Sequence, residues 1–129
     1  MNVVDSSGWL EYFADGPNAG KFASTIQNTR ELIVPTLSLY EVFKRVSQQR
    51  SRSVALRAIA MMQQGRVVDL NATIALSAAK LSVELKLPMA DSVMLATARE
   101  FRATLWTQDG DFIGMEGVRY FSKDAVGPR

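Results

Sequence analysis

The feature that most constrains the fold is the alternation of short β-rich runs with longer helical patterns. The β-rich runs cover residues 2–4, 32–35, 66–70, 104–107 and 118–121. Strands that alternate with helices favour a mostly parallel sheet covered by helices on both faces, the three-layer α/β/α arrangement. The segments that follow the first three runs are each long enough for two helices.

Three segments between these runs have apolar residues at helical spacing. The three stripes are Leu39, Phe43 and Val46; Ile74, Ala78, Leu81 and Leu85; and Met94, Ala98 and Phe101. Another helix directly after the first β-rich run is predicted from Trp9, Leu10 and Phe13. Thr36 or Ser38 is expected to begin a helix, and Gly65 to follow the end of one.

The composition limits the chemistry that the chain can perform. Its 129 residues fit one domain, and it has neither cysteine nor histidine. A thiolate zinc site and a histidine base are therefore excluded, so that carboxylates, lysine, tyrosine or hydroxyls must do any metal or acid–base work. No apolar stretch approaches the ~20 residues that span a bilayer. Residues 1–5 lack the pattern of a secretory signal, so a soluble cytoplasmic protein is expected.

Basic residues are unevenly distributed along the chain, although they exceed the acids only by 15 to 13. A block without acids lies between Glu41 and Asp69 and contains Lys44, Arg45, Arg50, Arg52, Arg57 and Arg66. This block fits contact with a polyanion, and it fits equally well two solvated helix faces. Lys44 follows Glu41 by one helical turn, which suits either a phosphate contact or an ordinary ion pair.

Two aspartates lie where β-rich runs end. Asp5 follows the first run, and Asp109 follows the fourth. In parallel α/β sheets, sites form beyond the carboxyl ends of the strands, where the strand order reverses. Each residue also has a structural interpretation, Asp5 as a helix cap and Asp109 with Gly110 as a turn.

Two further acids fall on predicted helices. Asp91 lies on the same face as the third apolar stripe, so that a helix there points it into the interior, where a carboxylate needs a partner. The free N–H groups of a first turn provide part of that partner. Glu41 lies opposite the first stripe, and Ser38 with Glu41 has the spacing of a capping box.

Four short motifs, in sequence order, resemble the PIN-domain ribonucleases, most closely the toxins of VapBC-type toxin–antitoxin pairs. The motifs are Val3-Val4-Asp5-Ser6, Ser38-Leu39-Tyr40-Glu41, Ala90-Asp91-Ser92-Val93-Met94-Leu95-Ala96-Thr97-Ala98 and Thr107-Gln108-Asp109-Gly110-Asp111-Phe112. The similarity covers essentially the whole chain. It implies a PIN-like nuclease domain over residues 1–129 in which the first strand is central.

The resemblance also implies a role for each acid. Asp5, Asp91 and Asp109 would bind the metal, and Glu41 would complete the catalytic set. Mg²⁺ or Mn²⁺ is the expected cofactor, because hard divalent cations prefer oxygen ligands and can activate water for phosphodiester hydrolysis.

Supporting roles follow in the same way. Thr107 resembles the hydroxyl residue that supports the site, and Ser6 lies beside the first acid. Asp111 either shares the role of Asp109 or, as we prefer, caps a short turn over residues 111–115. Lys44, Arg45, Arg50 and Arg52 are the candidate contacts to the RNA backbone. The expected partners are the RNA substrate, a cognate antitoxin protein and a second copy of the chain.

Two other functions remain open at this point. In a phosphoacceptor receiver, Asp5, Asp69, Thr107 and Lys123 would occupy the active-site positions, but Ser6 replaces the second acid that a receiver needs. A PIN-like domain can also serve as a binding module, for which loss of one of the four acids would be the sign. All four acids are present.

Overall fold

Strands and helices alternate along the chain in the structure, a computed structural model that describes residues 1–123. In chain order the elements are β1 (Asn2–Val4), α1 (Ser6–Phe13), α2 (Ala19–Gln27), β2 (Leu32–Pro35), α3 (Thr36–Gln49), α4 (Arg52–Met62), β3 (Arg66–Val68), α5 (Ala72–Leu85), α6 (Met89–Glu100), β4 (Thr104–Thr107) and β5 (Val118–Tyr120). The predicted pairs of helices after the first three strands are confirmed. The third and fifth strands end earlier than predicted.

The five strands form one parallel sheet in the order β3-β2-β1-β4-β5. The chain builds β2 and β3 on one side of β1 and then returns to add β4 and β5 on the other side. The order therefore reverses between β1 and β4, which is where sites form in sheets of this kind. The predicted three-layer fold with a central first strand is confirmed.

This strand order rules out the receiver interpretation. In the receiver order 2-1-3-4-5, the third strand lies beside the first, which brings their acids together. Here β2 separates β3 from β1, and β3 is an edge strand. Asp69 is exposed at that edge, so the chain does not pair it with Asp5.

Alternate residues of the central strands enter different cores, because successive side chains of a strand point to opposite faces. Val4 and Val34 lie in a core with Trp9, Phe22 and Met62, on the face covered by α1 to α4. Val3, Ile33 and Leu105 lie in a second core with Met94 and Phe112, on the face covered by α6. These two cores make the sheet the middle layer.

Helix α1 approaches β1 closely because residue 8 is glycine. A Cβ atom at Gly8 would lie 2.8 Å from side-chain carbons of both Val4 and Phe22. This close approach holds the first turn of α1 directly beyond the end of β1. Ser6 and Ser7 are thereby placed beside Asp5.

The buried face of α3 differs from the predicted one. Its fully buried residues are Ser38, Val42 and Val46, whereas Leu39 and Phe43 are only partly buried. The buried face is rotated because the Ser38 hydroxyl donates a 2.7 Å hydrogen bond to the Pro35 carbonyl, which allows a serine in the core. As a result, Glu41 lies beside this face and not opposite it.

Within residues 1–123, none of the helices has the length and apolar character needed to cross a membrane.

Candidate metal centre

Carboxylates from four parts of the chain meet beyond the carboxyl ends of β1 and β4. Asp5 directly follows β1, and Asp109 lies two residues after β4. Asp91 is in the first turn of α6, and Glu41 is in the second turn of α3. Electrostatic interactions connect Asp5 with Asp109 and Glu41, and Asp91 with Asp5 and Asp109. The four predicted site acids therefore lie in one neighbourhood.

Asp5 is held by two hydroxyl groups. Its Oδ2 atom accepts hydrogen bonds from Ser7 Oγ at 2.8 Å and from Thr107 Oγ1 at 3.0 Å. Asp5 occupies the position before α1, but its side chain makes no capping hydrogen bond. The helix-cap interpretation of Asp5 is therefore wrong, because its carboxylate turns towards β4.

The same hydroxyls fix the loop that leads to Asp109. Thr107 Oγ1 accepts the backbone N–H of Asp109 at 2.9 Å, and Ser7 Oγ accepts the backbone N–H of Gln108 at 3.3 Å. Each hydroxyl donates to Asp5 and accepts from the loop, so it couples two neighbouring strand ends. Ser7 was not among the predicted site residues. The sequence shows that two serines follow Asp5 but not which of them contacts it.

Ser6 contacts a different acid from the one expected. Its hydroxyl donates a 2.6 Å hydrogen bond to Glu41 Oε1, and Glu41 is half-buried. The capping-box interpretation is wrong, since α3 begins at Thr36 and its first turn has no side-chain cap. Glu41 is thus fixed at the rim of the acidic site by α1.

Three aspartates form the tightest group of acids. Carboxylate oxygens of Asp91, Asp109 and Asp111 all lie within 4.8 Å of one another. Asp109 Oδ1 also accepts the backbone N–H of Asp111 at 2.9 Å and caps the short 3-10 turn Gly110–Phe112. The turn is therefore capped by Asp109, and the prediction that Asp111 caps it is wrong. Asp109 is both a turn residue and a member of the group.

The group of acids raises the pKa values of its most buried members. The pKa of Asp91 is raised to about 8, mainly by burial and further by its hydrogen bond with Asp111 and by the charges of Asp109, Asp5 and Asp111. Burial also raises the pKa of Asp5, against the opposing effect of the Ser7 and Thr107 hydrogen bonds. A carboxylate that hydrogen-bonds another carboxylate must share a proton. Without a cation, the site therefore holds protons.

The donor set suits a hard divalent cation. The groups described above offer carboxylate and hydroxyl oxygens, and the oxygens of Asp91, Asp109 and Asp111 are close enough to share one ion. Oxygen ligands of this kind fit Mg²⁺ or Mn²⁺, whereas softer metals prefer nitrogen or sulfur. Bound positive charge would also relieve the repulsion between the acids. The residues present therefore fit the metal that the resemblance implies.

Two of the predicted basic residues reach the site. Lys44 and Arg45 line a cleft together with Ser6, Tyr40 and Glu41. The Lys44 Nζ atom lies 5.8 Å from the centre of the Tyr40 ring. The cleft therefore adjoins the acidic site at Glu41, and two basic side chains line it.

The other two basic residues lie further away. Arg50 follows the end of α3, and Arg52 begins α4. Along an ideal helix, nine residues separate Glu41 from Arg50 by about 13 Å. Arg50 lines an apolar groove with Phe13, Val46 and other residues of α1, α3 and α4. Neither arginine lines the cleft beside Glu41.

The fold is similar to those of several solved structures. A chain of a toxin–antitoxin complex from Klebsiella pneumoniae superimposes with a TM-score of 0.81 at 20% identity, over 95% of this chain and 99% of that chain. VapC20 from Mycobacterium tuberculosis, described as a sarcin-ricin loop cleaving toxin, gives 0.75 at 21% identity, over 92% and 99%. VapBC2 from Rickettsia felis, bound to a promoter DNA fragment, gives 0.72 at 14% identity, over 94% and 97%.

The family of the chain follows from a comparison of its sequence with protein-family models. No curated protein sequence matches the chain. The model of the PIN domain matches residues 3–117, a range that begins within β1, includes β2 to β4 and contains all of the acids described above. This range covers most of the 129 residues, and the chain therefore belongs to the PIN domain family.

Proposed function

We propose that this chain is an endoribonuclease that uses Mg²⁺ or Mn²⁺ to hydrolyse RNA phosphodiester bonds. The observation that carries the proposal is the meeting of Asp5, Glu41, Asp91 and Asp109 at the point where the strand order reverses. All four of these acids are buried or half-buried, which a solvated surface cluster would not be. A PIN-like binding module would be expected to lack one of these four acids, and this chain has all four.

Each acid has a distinct part in the proposed site. Asp5, Asp91 and Asp109 would hold the metal, and Asp111 is close enough to share that task. A bound divalent cation would supply an activated water and a countercharge for the phosphate. Glu41, held by Ser6, faces the cleft and would orient the attacking water or the substrate. Ser7 and Thr107 would hold Asp5 in its ligating position.

The cleft beside Glu41 is the proposed path of the RNA backbone. Lys44 and Arg45 line it and would contact phosphates next to the scissile bond. Arg50 and Arg52 would contact the backbone further along the chain of nucleotides. Such contacts position the substrate without reading its bases.

The proposed setting is a type II toxin–antitoxin pair in the cytoplasm. The similar Klebsiella and Rickettsia structures are described as toxin–antitoxin and VapBC assemblies. By that similarity we propose that this chain is the toxin, that it forms a homodimer, and that a separate antitoxin protein binds it and blocks its acidic site. Expression without the antitoxin should then arrest growth of the host, and Asp5→Asn should relieve the arrest.

The direct test uses purified protein, total RNA and sequencing of the new RNA ends. We expect new ends to accumulate with Mg²⁺ or Mn²⁺ and to disappear with excess chelator or with Asp5→Asn. Asp69→Asn is the matched control, since Asp69 is an exposed aspartate outside the site. Full cleavage in excess chelator would contradict the proposal.

A further inference from the structure

Three polar side chains that the proposed mechanism does not use lie beside the acidic site. Glu11 is in α1, Asn18 directly precedes α2, and Gln108 lies between β4 and Asp109. Asn18 and Gln108 keep only 2% and 7% of their surface exposed. Buried amides need hydrogen-bond partners, and these two find them in each other and in Glu11. We call Glu11, Asn18 and Gln108 the Gln108 clamp.

The hydrogen bonds of the Gln108 clamp leave each of its amides only one orientation. Gln108 Nε2 donates to Glu11 Oε1 at 3.3 Å, and Gln108 Oε1 accepts from Asn18 Nδ2 at 3.0 Å. Asn18 Nδ2 also donates to the Ser122 carbonyl at 3.2 Å, and the Asn18 backbone N–H donates to Glu11 Oε2 at 2.7 Å. Turning over either amide would place a donor against a donor or an oxygen against an oxygen. The clamp is therefore fixed in a single arrangement.

Gln108 connects the clamp to the proposed metal ligands. The backbone at Asp109 is extended, with φ −84° and ψ 123°, and successive side chains of an extended chain point in opposite directions. Gln108 accordingly contacts Glu11 of α1, whereas the Asp109 carboxylate lies within 4.8 Å of that of Asp91 in α6. Holding the Gln108 side chain therefore fixes the direction from which Asp109 enters the group of acids.

Gly16 makes room for the Glu11 carboxylate in this arrangement. The Gly16 N–H donates to the Glu11 carbonyl at 3.0 Å, so that the loop between α1 and α2 folds back over the Glu11 side chain. A Cβ atom at residue 16 would lie 2.5 Å from each Glu11 carboxylate oxygen. Any side chain at this position would therefore displace the carboxylate from its place in the clamp.

We propose that Glu11, Asn18 and Gln108 are positioning residues that hold the Asp109 carboxylate towards the metal ion and so set the metal affinity of the site. The proposal rests on the proposed function only for the metal. It is tested by metal binding without RNA, so that the two can fail separately. A protein that binds the ion but cleaves no RNA would contradict the proposed function and not the role of the clamp.

The first experiment exchanges the carboxylate and the amide that face each other in the clamp, and it measures Mn²⁺ binding by titration calorimetry. With Glu11→Gln alone a donor must face a donor, and with Gln108→Glu alone two carboxylates face each other. Each change should raise the Mn²⁺ dissociation constant by about 10-fold, the lower end of the range for groups that orient a metal ligand. Both changes together restore every hydrogen bond with donor and acceptor reversed, so that binding should return to near the wild-type value.

Charge alone, or a purely structural role, predicts a different result. Gln108→Glu adds a negative charge beside Asp109, which by itself would strengthen Mn²⁺ binding. A structural role would lower the unfolding temperature and leave the Mn²⁺ affinity of the folded protein unchanged. Ser51→Ala, which removes the cap of α4, is the control for lost stability and should keep that affinity. Tighter binding by Gln108→Glu, no recovery on exchange, or a wild-type protein that binds no Mn²⁺ would each overturn the proposal.

The second experiment disturbs the clamp without changing any of its polar groups, and it remains decisive if the exchange variants fold poorly. Gly16→Ala should displace the Glu11 carboxylate, which is the end of a flexible side chain, and weaken Mn²⁺ binding about as much as Glu11→Gln. Gly20→Ala is the matched control, because a Cβ atom at residue 20 would meet nothing within 4 Å among residues 1–123. Unchanged Mn²⁺ affinity in Gly16→Ala would overturn the proposal.

Discussion

The acidic site has two parts that are stabilised in opposite ways. Asp5 lies against neutral hydroxyls, with Ser7 and Thr107 both donating to its Oδ2 atom. Asp91 lies against other carboxylates, within 4.8 Å of both Asp109 and Asp111. Burial raises the pKa of Asp5 and of Asp91, but hydrogen bonds oppose this rise only at Asp5.

The comparison shows which part of the site depends on a cation. Hydroxyl donors favour the charged form of Asp5 before any metal binds, so this ligand is already in place. The Asp91–Asp109–Asp111 group is instead held together by the fold against mutual repulsion, and it gains most from a cation. The predictions below test this difference, in order of decreasing expected effect.

The largest effect on RNA cleavage is expected when one of the acids is replaced. Asp5→Asn and Asp91→Asn should each lower the rate of RNA cleavage by more than the ~10–100-fold typical of outer-shell residues, because each removes a proposed ligand. The rate is measured with saturating Mg²⁺ on a single labelled RNA. Asp69→Asn serves as the control and should keep the full rate. If Asp91→Asn remained active while Asp5→Asn did not, the metal site would be confined to the Asp5 side.

A smaller effect is expected from the hydroxyls that hold Asp5. Thr107→Val and Ser7→Ala should each lower cleavage by about 10–100-fold, and part of the loss should be recovered at high Mg²⁺ concentration. Ser53→Ala, at an exposed serine of α4, provides the control. Equal losses with Thr107→Val and Asp5→Asn, without recovery by Mg²⁺, would mean that the Thr107 hydroxyl does more than position Asp5.

Ser7 also illustrates what the sequence could not provide. The order of the elements, the helix pairs and the position of the site all follow from periodicity and from the behaviour of parallel sheets. The choice between Ser6 and Ser7 depends on where the first turn of α1 points, and that direction depends on the close approach at Gly8. Neither Val4 nor Phe22, which meet Gly8, reveals this contact in the sequence.

A similar limit applies to Glu41 and Asp111. The predicted face of α3 assumed that only apolar residues are buried, but Ser38 is buried with its hydroxyl bonded to Pro35. Asp109 and Asp111 lie on either side of Gly110, and each is placed in the sequence where it could cap a short turn. Only the backbone geometry shows that Asp109 is the cap. The family resemblance therefore singled out the acids, whereas local hydrogen bonds decided which groups support them.

The next effect concerns stability and separates a metal site from four unrelated acids. Without metal, Asp91→Asn should leave the free energy of unfolding unchanged or raise it, because the amide is neutral without having to take up the proton that buried Asp91 binds on folding. A plain first-turn aspartate would instead lose about 0.3–1 kcal/mol, the contribution of its charge at the helix N-terminus. Mg²⁺ at about 100 times its dissociation constant should stabilise the wild type by about 2.7 kcal/mol. Asp91→Asn should lose most of that gain, as thermal unfolding with and without Mg²⁺ will show.

The last effect, the smallest per unit of change, is a dependence of stability on pH in the metal-free protein. Folded Asp91 keeps its proton up to a pKa of about 8, whereas the unfolded chain releases it near the ordinary value of 3.8. Between these values the folded state binds more protons, so the free energy of unfolding should fall as the pH rises, by at most about 1.4 kcal/mol per unit for one proton. The chain has no histidine, so that apart from the α-amino group no ordinary side chain titrates between pH 5 and 8. Urea unfolding in chelator from pH 5 to 8 should show this fall in the wild type and in Asp69→Asn, and a smaller one in Asp91→Asn. An equal slope in all three proteins would assign the protons to another group. Saturating Mg²⁺ should abolish the wild-type slope, because the cation displaces the protons and neither the folded nor the unfolded carboxylates then bind them between pH 5 and 8.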